Sequence, residues 1–165
     1  MQDNNDPNGE QEVGLYERLA TRTADLVESG RQTLDEALKK SRDELTSAGD
    51  YSREKVEKVS EFVRRDIAAL GDNAGKASEM LRKAIDPKRV AYGAQSAFSR
   101  ILSSAAGLLG EWAQKTEKTL EFKTGEVTSF GTLTCKSCGS EMRIKAAGRI
   151  PPCPKCHKTV FRRSY

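Results

Sequence analysis

Two short cysteine motifs near the C-terminus decide the fold of this chain: Cys135-Lys-Ser-Cys138-Gly139 and Pro152-Cys153-Pro-Lys-Cys156-His157. They contain all 4 cysteines of the chain, arranged as two C-x-x-C pairs. Two residues between thiols allow a tight turn to direct both sulfurs to one point, and two such turns supply the four thiolates of a closed tetrahedral zinc site. The 14 residues between the pairs are enough for a β-hairpin, close to the usual gap of about 15 to 20. The sequence therefore predicts one structural Zn²⁺ bound by Cys135, Cys138, Cys153 and Cys156.

Three other cysteine chemistries compete with zinc. Structural disulfides suit exported proteins, but the first residues lack the basic start and apolar run of a signal peptide, and thiols in a reducing compartment favour metal. A thioredoxin-like redox site needs a βαβ unit, and no such pattern is visible. Iron in the same four thiolates, as in rubredoxins, stays open on ligands alone. Rubredoxins surround their iron with aromatic side chains, whereas the aromatics near these motifs are Phe130, Phe161 and Tyr165.

His157 directly follows the second cysteine pair and raises two further alternatives. It completes the C-x-x-C-H motif of c-type haem attachment, but that use would leave Cys135 and Cys138 without a role. A Cys₃His site in which His157 replaces Cys156 is disfavoured because adjacent residues rarely bind one small ion in the same tetrahedron. We interpret His157, like Gly139 after the first pair, as the knuckle residue that adopts a positive φ. Its side chain is then expected to point to solvent.

The composition is thin for a single globular core. Hydrophobic residues make up 36% of the chain, charged residues 32% and aromatic residues 6%, which is typical of long helices joined to a small metal-stapled module. Residues 1–121 carry 19 Lys/Arg against 22 Asp/Glu, whereas residues 122–165 carry 9 against 2, a net charge of +7. Four thiolates and Zn²⁺ together contribute −2 and lower this to about +5. We therefore expect a weakly acidic helical arm that ends in a basic metal module.

Apolar and small residues recur at spacings of three and four in the N-terminal region, which indicates amphipathic helices. They predict one helix over residues 13–48 and a second over Arg53–Leu70 that returns antiparallel to the first. Gly49 is the predicted stop between them and Ser52 the predicted N-cap. Residues 1–12 are polar and lack an apolar cluster, so we expect them to form a disordered tail.

Two more helices are predicted after the second one, over residues 77–85 and 88–119. The longer helix is the most apolar, and Arg100 is the only charge between Arg89 and Glu111. This composition makes a membrane span one alternative. A central arginine costs about 2.5 to 3.5 kcal/mol on insertion scales, and neighbouring glutamine and serine residues add to that cost. We predict a buried or oligomer-forming helix and no membrane association.

The pattern changes after residue 120 from helical spacing to short β-type segments. Residues 121–131 are a Gly-punctuated lead-in, and three strands are predicted over residues 132–134, 141–145 and 159–162. Strands this short cannot bury a useful core. We therefore expect metal binding to supply the folding free energy of this part.

The predicted fold class is mostly α, with a helical hairpin or coiled-coil-like N-terminal arm followed by a small C-terminal β zinc ribbon. The expected divisions are a disordered tail over 1–12, the helical arm over 13–120, a linker or lead-in over 121–131 and the zinc ribbon over 132–165. The arm holds the apolar stripes and the ribbon holds the cysteines. We therefore expect the two to be separate folding units.

Several further segments form a fairly specific pattern together with the cysteine motifs: Tyr16-Glu-Arg-Leu19, Thr46–Asp66 with Val63-Arg-Arg-Asp66, Thr124-Gly-Glu-Val127, Gly131–Cys138, and Phe161-Arg-Arg163. Over roughly residues 14–165 the chain resembles the bacterial zinc-ribbon-containing proteins of unknown function similar to enterobacterial YbeL. The resemblance implies a helical N-terminal region and a zinc ribbon with the four cysteines as ligands. It implies no established activity. The chain departs from the family at His157, where glycine is usual.

The sequence contains no recognisable catalytic set. It has 1 histidine, no Ser/His/Asp arrangement and no Gly-rich phosphate loop, and a saturated Cys₄ site leaves no open position for a reactive water. We predict a non-enzymatic cytoplasmic protein with no catalytic residues and no small-molecule cofactor site.

Two classes of partner are predicted. In the first, the ribbon contacts nucleic acid or a ribonucleoprotein through a basic face, with phosphate attraction dominant. That face was assigned to eight residues: Lys136, Arg143, Lys145, Arg149, Lys155, Lys158, Arg162 and Arg163. In the second, the ribbon is a structural cap and the helical arm is a coiled-coil scaffold. The arm would then bind another protein or a second copy of itself.

Overall fold

The computed structural model describes residues 7–30, 33–72, 94–104, 109 and 120–164. Four helices are described: α1 (Pro7–Glu28), α2 (Leu34–Ser47), α3 (Arg53–Asp72) and α4 (Ala94–Ser104). Six strands follow: β1 (Glu121–Lys123), β2 (Val127–Thr128), β3 (Gly131–Cys135), β4 (Glu141–Ile144), β5 (Gly148–Arg149) and β6 (Val160–Ser164). The predicted class is confirmed, because a helical N-terminal region precedes a small sheet region in which the four cysteines cluster.

The single helix predicted over residues 13–48 is wrong, because the chain forms α1 and α2 there instead. Gly30 adopts a φ of 69°, and its N–H donates to the Val27 carbonyl at 3.0 Å to close α1. Thr33 and Glu36 then form a capping box at the start of α2, in which each side chain accepts the other residue's backbone N–H. A left-handed glycine followed by a capping box stops one helix and starts the next.

The second predicted break is confirmed. Gly49 adopts a φ of 78°, and the Ser52 hydroxyl accepts the N–H of Lys55 at 3.3 Å. The next helix, α3, begins at Arg53 as expected. Local stop and cap chemistry therefore locates this boundary from the sequence alone.

The first helix begins at Pro7, so the disordered tail predicted over 1–12 is wrong for its last six residues. Proline is favoured at the first position of a helix, where no intrahelical N–H is required. Glu12 is only 3% exposed, and its carboxylate pairs with Lys58 at 3.1 Å and with Arg149 at 2.8 Å. These tertiary contacts stabilise the start of α1, although its polar composition favours disorder. The first six residues lie outside the described part of the chain.

The first three helices run up, down and up around a shared apolar core. The hydroxyl of Thr23 in α1 donates to Ser41 in α2 at 3.2 Å. Arg64 in α3 pairs with Asp35 at the start of α2 at 3.0 Å, which confirms the predicted antiparallel return against α2. Lys55 bonds Asn8 and Lys58 bonds Glu12, so α3 runs parallel to α1. The buried core residues of these helices include Leu15, Tyr16, Leu19, Leu34, Ala37, Val56, Val59, Val63 and Ile67.

The fourth helix packs on α1. The Tyr16 and Phe98 ring centroids lie 6.1 Å apart, and Phe98 and Ile101 are fully buried. Arg100, the charge in the middle of the most apolar predicted helix, pairs with Asp25 at 2.6 Å and with Glu28. The burial of Phe98 and Ile101 in α4 agrees with the buried helix predicted for this segment. In the part of the chain that the structure describes, no helix is both long and apolar enough to span a membrane.

Two predicted helical segments fall largely outside the described residues. The helix predicted over 77–85 lies wholly outside them. Of the helix predicted over 88–119, the structure describes α4 and a helical Leu109. The remainder, including Trp112, lies outside the described residues.

The C-terminal region forms an antiparallel four-stranded sheet in the order β1-β6-β3-β4, with a two-stranded ladder of β2 and β5 beside it. Strands β3, β4 and β6 match the three predicted strands within two residues. The expected lead-in over 121–131 is itself part of the sheet, because Phe122 of β1 pairs with Phe161 of β6. The ribbon therefore begins at Glu121 and not at residue 132. Strands of two or three residues carry too little alternation to be detected from sequence.

Candidate metal centre

Two matching turns hold the cysteine pairs. The N–H of Gly139 donates to the Cys135 carbonyl at 3.0 Å, and the N–H of His157 donates to the Cys153 carbonyl at 2.9 Å. Gly139 has a φ of 71° and His157 a φ of 57°. The His157 side chain is exposed. The interpretation of His157 as the knuckle residue of the second turn is therefore confirmed.

The four cysteine sulfurs form one compact group. All four Sγ atoms lie within 4.8 Å of one another. Two separations, 3.6 Å from Cys135 to Cys156 and 3.6 Å from Cys138 to Cys153, each join one turn to the other. Sulfurs bonded to Zn²⁺ at about 2.3 Å lie about 3.8 Å apart at the corners of a tetrahedron. A disulfide would need about 2.05 Å, and all four thiols are free. The donor set fits a tetrahedral metal ion.

Backbone amides and neighbouring thiols shift the acidity of these cysteines in opposite directions. The N–H groups of Cys138 and Ser137 lower the pKa of Cys135. The N–H of Cys156 lowers the pKa of Cys153 to about 6. The Lys158 N–H also lowers the pKa of Cys156, but burial and the neighbouring thiols outweigh it and raise that pKa to about 12. Four thiolates this close repel one another, and a divalent cation removes that cost.

The turns are fixed by the sheet and by a small apolar core. Cys135 ends β3 and pairs in register with Phe161 of β6. Cys153 donates its N–H to the Lys158 carbonyl at 3.0 Å. Cys135 and Cys153 are buried in a cluster with Phe122, Leu133, Ile150, Phe161 and Ala69, the last from α3. The ribbon therefore has more apolar support than its short strands suggested.

A buried carboxylate lies where the ribbon meets the helices. Asp66 of α3 is fully buried. Its Oδ2 accepts the Tyr16 hydroxyl, and it also accepts the Thr128 hydroxyl at 2.8 Å and the Ser129 N–H at 2.8 Å. Arg163 of β6 places Nη2 3.7 Å from the same oxygen. One carboxylate thus connects α1, α3, the segment after β2, and β6.

Two arginines frame this carboxylate and share one aromatic ring. Arg65 donates to the other Asp66 oxygen at 3.1 Å. It also donates to the Glu126 carboxylate and to the Val127 carbonyl. The guanidinium carbons of Arg65 and Arg163 lie 4.0 and 4.8 Å from the centroid of the Phe122 ring. The contact adds cation–π attraction in a site with little water.

The pKa of Asp66 follows from these partners. Burial raises the pKa of Asp66, but Arg163, Arg65 and the hydrogen bonds from Tyr16 and Ser129 outweigh burial and hold it below its usual range. Burial and the Asp66 charge raise the pKa of Tyr16 well above its usual value. Asp66 is therefore ionised and Tyr16 is a neutral donor near pH 7.

This arrangement corrects the predicted basic face. Arg163 was assigned to that face, but its side chain is 2% exposed and lies against Asp66. Arg149 pairs with Glu12, and Lys136 pairs with Glu121 at 2.6 Å. Lys136 and Arg149 are exposed but ion-paired. The other five predicted residues are exposed as well: Arg143, Lys145, Lys155, Lys158 and Arg162. Lys123, which the prediction omitted, is exposed as well.

The role of Asp66 was missed at the level of sequence, although one signal was present. Asp66 lies three residues after Val63 and one before Ile67, within the apolar stripe of α3. A carboxylate at such a position is rarely buried unless it is paired. Apart from the adjacent Arg65, its partners lie 50 or more residues away in the chain, so local patterns do not reveal them.

Comparison with known proteins agrees with this geometry. A family model described as a zinc-ribbon containing domain matches residues 21–165. The chain belongs to this zinc-ribbon family. It is 26% identical over 162 residues to "Uncharacterized protein YbeL" of Escherichia coli strain K12, covering 90% of this chain and 92% of that protein. The YbeL protein of Escherichia coli O157:H7 gives the same values. No solved structure matches. The resemblance inferred from the sequence is confirmed.

Proposed function

We propose that this zinc-ribbon protein is a non-enzymatic binding protein whose ribbon contacts nucleic acid or a ribonucleoprotein. One Zn²⁺, bound by Cys135, Cys138, Cys153 and Cys156, stabilises the ribbon. We place the protein in the cytoplasm, where reduced thiols bind metal and do not form disulfides.

The sulfur geometry supports a structural zinc ion. Four thiols converge within 4.8 Å, and a Cys₄ site leaves no coordination position for water or substrate. The ion holds the two turns together and performs no chemistry on a ligand. Since metal binding and folding are linked in small ribbons, the ion is expected to supply much of the stability of the turns.

The exposed charge of the ribbon supports a polyanionic partner. We define the basic ribbon surface by six exposed side chains: Lys123, Arg143, Lys145, Lys155, Lys158 and Arg162. Cations that are displayed to solvent bind phosphates by releasing counterions, without reading sequence. Phe122, Phe130 and Phe161 are buried, so these rings do not stack on bases. The expected contacts are therefore to phosphates, with little discrimination between sequences.

Three lysines at the metal end carry this proposal. Lys155 lies within the second turn, Lys158 follows it, and Lys123 ends β1. Lys123 pairs in register with Val160 of β6, and the N–H of Thr124 donates to the Thr159 carbonyl at 2.9 Å. The end of β1 therefore adjoins the segment that carries Lys158. In contrast, Arg162 on the sheet face lies opposite Glu121. Among the described residues of the metal end, Lys155 and Lys158 form no ion pair with a carboxylate, whereas the charge of Lys123 lies near Glu121.

Binding of labelled single-stranded RNA and duplex DNA, measured by fluorescence anisotropy over a salt series, tests this proposal. We expect a Kd of about 10⁻⁴ to 10⁻⁶ M that rises steeply with salt and changes little with sequence. The double change Lys155→Glu and Lys158→Glu should abolish binding and leave the zinc content unchanged. The matched control is Lys39→Glu and Lys40→Glu on the exposed face of α2. A flat salt dependence, or no binding at low salt, would contradict the proposal.

The coiled-coil scaffold is the second candidate. In that case the ribbon caps a helical bundle that binds another protein or a second copy of the chain. The apolar stripes of α1, α2 and α3 are covered within their own chain. We therefore rank the scaffold below the nucleic-acid hypothesis, and a failure of the salt-dependent binding test would favour it.

A further inference from the structure

The two edges of the four-stranded sheet differ. At the β1 edge, the N–H of Lys123 donates to the Glu126 carboxylate at 3.0 Å, so a side chain of the same chain closes part of that edge. At the other edge, β4 pairs with β3 on one side. Among the described residues, no strand pairs with its other side. An edge strand with open N–H and carbonyl groups is a template for a further strand.

The hydrogen bonds to β3 identify the groups that β4 presents to its open edge. The Ser140 carbonyl accepts the Cys135 N–H at 2.9 Å, so Ser140 faces β3. The direction of the backbone groups alternates along an antiparallel strand. Met142 and Ile144 therefore bond β3 as well, whereas Glu141 and Arg143 direct their N–H and carbonyl groups to the open edge. A partner strand would form its backbone bonds to those two residues.

The side chains of β4 also alternate between two environments. Glu141 and Arg143 are exposed. Met142 and Ile144 are half-buried against the apolar cluster behind the cysteines. Any partner strand must keep its apolar side on the Met142 side of the sheet, because a shift of one residue would place charge there.

We infer that two copies of this chain pair antiparallel along β4, with the two-fold axis at Met142. Glu141 then lies opposite the partner's Arg143, and Arg143 lies opposite the partner's Glu141. The residues that face the open edge form the hydrogen-bonded pairs, and each lies opposite a side chain of the other sign. The two ribbon sheets thereby become one continuous sheet.

The charges of β4 favour pairing about Met142, and they favour a second copy of this chain as the partner. The alternative two-fold register, centred on Arg143, uses the same backbone groups but places Arg143 against the partner's Arg143, and like charges directly opposite are unfavourable. Its opposite-charge pairs would join Glu141 to Lys145, which lies beyond the end of β4. A strand that carries one acid and one base at i and i+2 is complementary to itself after a two-fold rotation, as an isologous interface requires. A strand of four residues buries far less than the roughly 1,600 Å² of a standard interface. The dimer is therefore weak and depends on concentration.

Sedimentation velocity of the full zinc-loaded chain over a concentration series tests this inference. We expect a monomer–dimer equilibrium. Glu141→Arg and Arg143→Glu should each weaken it by about tenfold or more, because each replaces both opposite-charge pairs by like-charge pairs. An equimolar mixture of the two single variants should recover the dimer, since each edge then meets one of opposite sign. The double variant that carries both changes should dimerise by itself, because its two edge charges are exchanged and remain complementary.

Two controls separate edge pairing from general effects of charge. Arg162→Glu changes a charge on the exposed sheet face, two strands away from the edge, and should leave the equilibrium unchanged. Arg143→Pro removes an N–H that faces the open edge, and edge strands tolerate proline at such positions. It should abolish the dimer with full zinc content. A chain that is monomeric at every concentration would overturn the inference, as would a dimer that none of the β4 changes weaken.

Discussion

Arg163 of β6 and Asp66 of α3 meet inside the protein, with Nη2 of the arginine 3.7 Å from Oδ2 of the aspartate and side chains that are 2% and 0% exposed. The two residues come from the two parts that the sequence presents as an arm and a ribbon. Two residues before Arg163, Phe161 pairs with Cys135, a member of the cysteine cluster. The strand that supports the metal centre therefore also supplies the cation for the buried carboxylate of the helices.

Replacing Asp66 measures how much the contact between helices and ribbon contributes to the free energy of unfolding. Asp66→Ala leaves Arg163 buried without its carboxylate and removes the acceptor of the Tyr16 hydroxyl and the Ser129 N–H. Breaking one side of a buried ion pair costs about 3 to 5 kcal/mol. Urea unfolding followed by circular dichroism measures the loss. The control is Asp35→Ala, which removes an exposed pair with Arg64 and should cost less than about 1 kcal/mol. Equal losses for both variants would contradict this account.

Ionised Asp66 should make the folded protein more stable at neutral pH than in acid. Because the folded state holds the pKa of Asp66 below its usual range, this group stabilises the fold above its unfolded pKa of about 3.9. The contribution is lost as the pH falls through the folded pKa. We therefore expect the stability gap between the native protein and Asp66→Asn to be widest near neutrality and to narrow in acid. The measurement is the free energy of unfolding of both proteins over that range. A gap that is independent of pH would contradict the ionised state.

The second turn gives a test of the ligand assignment. His157→Gly should retain the metal and unfold no earlier, because glycine adopts a φ of 57° without strain. Cys153→Ser should release the metal and unfold the ribbon. Metal analysis of protein purified without added metal, together with the visible spectrum, measures both. Loss of zinc in His157→Gly would show that the ligands are wrongly assigned, and visible absorbance would favour iron or haem.

The start of α2 depends on its capping box. Thr33→Ala should cost about 1 kcal/mol, the usual loss on removing an N-cap hydroxyl. Thermal unfolding measures it. Thr21→Ala, in the middle of α1, is the matched control and should cost nothing, because alanine favours the helix. If the two variants unfold alike, the cap does not contribute to the break between α1 and α2.

Local chemistry made part of this structure predictable. The spacing of the cysteines indicated the sulfur cluster, the residue after each pair indicated a positive φ, and Gly49 and Ser52 indicated the second helix break. The break at Gly30 was missed because α1 and α2 pack on the same core, so helical spacing continues across the turn. Gly30 and the N-cap residue Thr33 were the sequence features that could have indicated this break.

Long-range contacts account for the rest of what was missed. Strands β1, β2 and β5 have two or three residues each and are defined by their partners. The cluster around Asp66 brings together four separate segments, Tyr16–Leu19, Val63–Asp66, Thr124–Val127 and Phe161–Arg163. These are segments by which the chain resembles its family, and the structure shows that they meet at the junction of helices and ribbon.

Removing the metal while following the helices tests the central claim, that the cysteine cluster binds zinc and the ribbon so formed stabilises the helical part through Asp66. The measurement is thermal unfolding of the far-ultraviolet helix signal with and without a zinc chelator, for the native protein and for Asp66→Ala. We predict that the chelator lowers the Tm of the helices in the native protein, and that it lowers the Tm much less in Asp66→Ala, where the junction is already broken. A helix Tm that is the same with and without zinc would contradict the account and would show that the arm and the ribbon are separate folding units.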